Sequence, residues 1–165
     1  MQHFPEFHPQ SRVWIYQPSR PLTDADKNYI FETGAAFAKN WTAHNLQLKA
    51  AIDILYGFFV IIIVDKTMTD VSGCGIDKSV HFMQDTGATL GIDFFDRLNI
   101  AYLKNETIQI TRQSELKKLL AEGEMRPDTP VFINSIQALA ELNQHWPMPI
   151  GESYLGIVSN SHLHI

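Results

Sequence analysis

The chain has 165 residues, 45% hydrophobic, 11% aromatic and 19% charged, a composition that supports a buried core and excludes disordered, collagen-like and low-complexity readings. Thirteen Lys and Arg against eighteen Asp and Glu leave a net charge of -5, without the basic footprint of phosphate-backbone binding, so nucleic acid is a disfavoured partner. The lone cysteine can form no internal disulfide, residues 1–10 lack the pattern of a signal peptide, and the longest apolar stretch, 57–64, falls well short of the roughly 20 residues of a membrane helix, so a cytoplasmic protein is expected.

Residues 11–17 (SRVWIYQ) are dense in β-branched and aromatic side chains and predict a first strand, closed by Pro18 and Pro21. Thr23 and Asp26 have the spacing of a capping box, Leu22 stands where a hydrophobic staple would, and Ile30, Gly34, Phe37, Ala38 and Trp41 then recur at helical spacing. From Leu46 the period changes to two. Leu48, Ala50, Ile52, Ile54 and Tyr56 fall on one side and Gln47, Lys49 and Asp53 on the other, which predicts a half-buried strand at a sheet edge. Tyr56-Gly57 is a tight return into residues 58–64 (FFVIIIV), whose unbroken apolar run belongs in the middle of a sheet.

A polar loop at 65–75 leads into a second helix carrying Ile76, Val80, Met83, Gly87 and Leu90 on one stripe, which Gly91 ends. Residues 98–103 and 107–111 read as two strands joined by a short turn at 104–106. Ser114 is placed to cap a helix over 115–121 that Gly123 stops, and a last helix runs from Asn134 or Ser135 to Trp146, before Pro147.

The order β, α, β, β, α, β is that of the ferredoxin-like α+β fold, whose sheet has the order 4-1-3-2 and whose two helices cover one face. The other face, to which Trp14 and Tyr16 are assigned, then needs a cover. Residues 114–149, with Leu116, Leu119, Leu120, Ile136, Leu139 and Trp146, are expected to supply it, or else a second copy of the chain in a homodimer. One domain is expected over 1–165: a core at 11–111, a helical extension at 114–149 and a tail at 150–165.

The strongest local feature is residues 72–79 (SGCGIDKS), between an apolar strand and a helix. Strand, glycine-rich loop, helix and Lys-Ser resemble a phosphate-binding loop, but aligning Lys78-Ser79 puts Ser72 and Asp77 where the motif needs glycines. A carboxylate there repels phosphate, so ATP hydrolysis is not expected. Cys74 has the setting of an activated thiol, with Lys78 four residues on and flanking glycines. The reading preferred for it is structural: a small buried cysteine at a tight turn, with Asp77 capping the first helical turn. The alternatives are a thiol-dependent enzyme centred on Cys74, or an anion site built from Ser72, Gly73, Gly75 and Lys78 at the helix N-terminus. His162-Leu163-His164 lacks a third ligand, Asp93 and Asp96 suit a turn, and no metal or cofactor site is expected.

The segments RVWIYQ (12–17), RPLTD (20–24), WTAH (41–44), SGCGIDKSVHF (72–82) and FDRLN (95–99) resemble those of a family of small, uncharacterised bacterial proteins often labelled "ABC transporter ATPase". The resemblance runs from about residue 11 to Trp146-Pro147. The label finds no support in the motifs: no LSGGQ-like signature is present, and Asp65 is not followed by glutamate. The resemblance carries over no catalytic residue. A non-catalytic binding or interaction domain is therefore the expected function.

Overall fold

The computed structural model describes residues 2–43, 46–65 and 73–156. Its elements are β1 (Arg12–Tyr16), α1 (Asp24–Asn40), β2 (Thr42–Ala43), β3 (Leu46–Gln47), β4 (Lys49–Leu55), β5 (Phe59–Asp65), α2 (Gly73–Leu90), β6 (Asn99–Lys104), β7 (Thr107–Arg112), α3 (Leu116–Ala121), β8 (Pro130–Val131), α4 (Leu139–His145) and β9 (Met148–Pro149). They make an α+β protein with antiparallel sheets of three strands (β1-β5-β4) and four strands (β7-β6-β8-β9), and a small β2-β3 pair. The chain divides into two compact units, Met1–Asp96 with Asn134–Asn143 and Arg97–Ile133 with Gln144–Ile165.

In the first unit β5 is central, as its apolar run requires, and Phe59 to Val64 are all 0% exposed. Tyr56 and Gly57 both take positive φ (58° and 63°), the left-handed conformation that closes the tight β4-β5 return. One face of this sheet carries Tyr16, Val60, Ile62 and Val64, packed with Ile30 of α1, Met83 of α2 and Trp41. Trp14 lies on the same face, 6.0 Å from the Trp41 ring. The expectation for Trp14 and Tyr16 is thus corrected: they lie under the helices, and Val13, Phe59, Ile61 and Ile63, all buried, form the opposite face. Alternation groups side chains by face, and where both faces are apolar it does not show which one the helices cover.

The expected 4-1-3-2 sheet is not formed among the described residues. Its fourth strand, β6, pairs instead with β7 and β8. The outer edge of β1 is taken by residues 137–139: Val13 donates its N–H to Gln137 O (2.9 Å), Leu139 donates to Ser11 O (3.0 Å), and Arg12 lies opposite Ala138. This also shortens the last helix, because Gln137 and Ala138 are spent on edge pairing and α4 begins only at Leu139. The same segment holds the N-terminal stretch, through Ala140 N–H to Pro9 O and a two-way exchange between Asn143 and the His3 backbone.

In the second unit Leu116, with Leu119 and Leu120 against it, packs on Ile100, Tyr102, Val131 and Ile150. These leucines therefore serve their own unit's core. Ser114 sits inside a 3-10 turn (Gln113–Glu115) and caps nothing, since the α3 N-terminus has no side-chain cap.

Two local features fix the α1 and α2 ends. Thr23 and Asp26 form the full capping box, and the Arg20 guanidinium reaches both Asp26 (2.6 Å) and the Leu90 carbonyl at the end of α2 (2.7 Å). The Arg20 hydrogen bond, followed by the Thr23 N–H, holds the Asp26 carboxyl down to about 2 from its ordinary 3.8. A depressed carboxylate stabilises the fold fully above its ordinary value and loses that contribution as pH falls toward the folded one. Asp26→Asn is therefore expected to cost roughly 1–2 kcal/mol at pH 7, a figure kept low because water screens the pair on Arg20's partly exposed side. A plot of Tm against pH should show the two proteins converging between pH 4 and 2.

The second feature is Gly87. A Cβ there would lie 2.4 Å from the Ile92 carbonyl oxygen, because the chain folds back on α2 directly after Gly91 turns it at φ 68°. Ile92 N–H donates to Gly87 O (3.0 Å), fixing that return.

Candidate functional site

A candidate site in the first unit lies along β4, an edge strand paired only to β5 among the described residues. Successive residues of an antiparallel strand direct their N–H and C=O groups alternately to the two sides. Val13 turns its N–H to Gln137 on the outer side of β1, so Arg12, Trp14 and Tyr16 face β5, and their partners are Val64, Ile62 and Val60. This leaves Phe59, Ile61, Ile63 and Asp65 to pair with Leu55, Asp53, Ala51 and Lys49. The backbones of Ala50, Ile52 and Ile54 consequently point away from the sheet. Of these, the Ile54 N–H is closed off by the Asp53 carboxylate at 2.8 Å. Ala50 and Ile52 present an open edge among the described residues.

A groove of about 500 Å³ borders that edge, lined by Ala35, Ala38 and Lys39 of α1 and by Leu48, Ala50 and Ile52. Its shape follows from small residues. Gly34 lets α1 settle onto β4, where an added Cβ would stand 3.1 Å from the Ile52 side chain. Ala35 next to it is exposed, and Phe31, one turn earlier on the same stripe, is 43% exposed. Lys49 lies at the strand's start on the face away from α1, with its ammonium over the Phe7 ring and donating to the Glu6 carbonyl.

The residues singled out in the sequence stand elsewhere. Ser72, the histidines at 44, 162 and 164, and most of the polar loop lie outside the described residues. Gly73, Cys74 and Gly75 belong by backbone to the first turn of α2, so the expected glycine loop is helical at this point. Lys78 and Asp77 are exposed in the second turn, which corrects the capping role expected of Asp77. Ser79 is buried and donates to Ile76 O (2.7 Å). Burial raises the Tyr16 phenol, against the opposing effect of a hydrogen bond with Ser79. Asp93 accepts from Phe95 N–H (2.8 Å), the turn-capping role expected of it. No group of three or more His, Cys, Asp or Glu among the described residues is placed to hold a metal, and none of the described helices is long and apolar enough to cross a membrane. The edge itself was legible in the Gln47, Lys49, Asp53 alternation. Its openness depends on tertiary neighbours that no local pattern encodes.

No family model, curated protein or solved structure matches the chain.

Proposed function

We propose that the chain is a non-catalytic interaction domain that binds an extended protein segment by strand addition along β4. The observation that carries this is the pair of outward-facing backbones at Ala50 and Ile52, set beside a groove that can hold the incoming side chains. Main-chain hydrogen bonds supply affinity in this mode, and pockets for alternate side chains supply selectivity. An open edge is also an aggregation hazard that proteins blunt with charge. Here Lys49 and Asp53 confine the open stretch to a few residues.

Proline at an edge removes a donor without touching the inner ladder when its nitrogen faces outward. Ala50→Pro should therefore leave folding intact and abolish strand addition. Extended peptides selected on the wild-type protein from a displayed library are expected to slow amide exchange at Ala50 and Ile52 and to lose at least about tenfold in affinity on Ala50→Pro. Selected peptides that bind both proteins equally, or that leave those two amides unprotected, would overturn the reading.

A further inference from the structure

Resting on that reading, we infer that the segment which adds to β4 is β4 of a second copy of this chain, running antiparallel about a two-fold axis through Ala51. The register is set by chemistry. Outward-facing residues must pair with outward-facing residues, so only registers that match Ala50, Ile52 and Ile54 among themselves are open. Centring the axis on Ala51 pairs Ala50 with the partner's Ile52 and Ile52 with the partner's Ala50, each pair exchanging two backbone hydrogen bonds.

The same register sets Lys49 opposite the partner's Asp53, and Asp53 opposite the partner's Lys49. Two cross-strand ion pairs therefore form on the face away from α1, with two alanines meeting at the axis. Moving the axis by one residue, to Ile52, sets Lys49 against Leu55 and Asp53 against Ala51, and no charge is matched. Charge complementarity thus selects a single self-register. The local groups have capacity to take part, His3 being the other ionisable group that the Asp53 charge acts on. The Ile54 N–H occupies Asp53 Oδ1, leaving Oδ2 for a partner, and the Lys49 ammonium has donors beyond the one used on Glu6. An axis perpendicular to the sheet also puts both α1 helices on one face of the joined six-stranded sheet. The exposed Phe31 and Ala35 stripes then border the junction.

The test is a charge exchange read by sedimentation equilibrium on the full chain. Lys49→Asp carries two acidic positions in each copy and Asp53→Lys two basic ones, so each variant alone sets like charges opposite one another in this register. Each is expected to dimerise at least about tenfold more weakly than wild type. An equimolar mixture restores both ion pairs, and a heterodimer of near wild-type affinity is expected. That recovery also shows that neither variant has simply unfolded. A dimer that both variants leave unchanged, or a mixture with no recovery, overturns the inference. A wild-type chain that stays monomeric to hundreds of micromolar overturns it too. In that last case selected peptides that still protect Ala50 and Ile52 would leave strand addition standing with a different partner, and their failure would remove both.

Discussion

A chain ending at Gln113 is expected to be insoluble. Truncation there removes residues 134–143, and with them the groups that receive the Val13 N–H, donate to the Ser11 carbonyl and pair with the His3 backbone. Both edges of the first sheet would then be open, on a sheet whose central strand is apolar from Phe59 to Val64. The buried side chains of Leu139 and Leu142 leave with the same segment. Each such side chain is worth about 1.5–3 kcal/mol of burial, and a protein of this size has roughly 5–15 kcal/mol in all. The second unit fares no better, because Leu116, Met125, Val131 and Ile150 vanish from its core and leave Ile100 and Tyr102 uncovered. Light scattering after purification settles the matter: a soluble, monomeric 1–113 chain would mean that the 137–139 pairing contributes little to the first unit.

The largest effect expected of a single substitution is at Gly87. Replacing it with alanine puts a methyl group 2.4 Å from the Ile92 carbonyl oxygen, which belongs to backbone and has no rotamer to escape into. Either α2 or the 91–94 return must shift, breaking the Ile92 N–H bond to Gly87 and disturbing Phe94, whose ring would also lie 3.4 Å from the new atom. A cost of about 3 kcal/mol and a fall in Tm of roughly 6–12 °C are expected. Gly91→Ala is the control. It meets nothing within 4 Å and bears only the penalty of its positive φ, about 1 kcal/mol. Thermal melts of the two proteins should rank them in that order, and equal melting temperatures would contradict the close approach.

Much of this architecture was readable beforehand, and the parts that were not share a cause. The hairpin at Tyr56-Gly57, the capping box of Thr23 and Asp26 and the central position of residues 59–64 are signalled within a few residues of where they act. The neighbour of β1 is not. Gln137 lies far along the chain, and the spacing of Ile136, Leu139 and Leu142 suits a helix as well as the strand-then-helix that forms. Ala50 and Ile52 illustrate the same limit at the candidate site. Their alternation places their side chains, but whether their amides meet another strand is decided by which segments fold against the sheet.

The first unit is assembled from two stretches of chain separated by 97–133. A ribosome delivers these in order. When Asp96 has emerged, β1, β4 and β5 are all present, yet the segment that lines the edge of β1 is still being made. At roughly 5–20 residues per second the 47 residues from there to Asn143 take about 2–10 s to appear. Throughout that interval a nascent chain holds an apolar sheet with a vacant border, and Asn143 must reach back to His3 before the unit is finished. Synthesis speed through this stretch, and any factor that shields the waiting strand, therefore bear on yield in the cell in a way that the stability of the finished protein does not disclose.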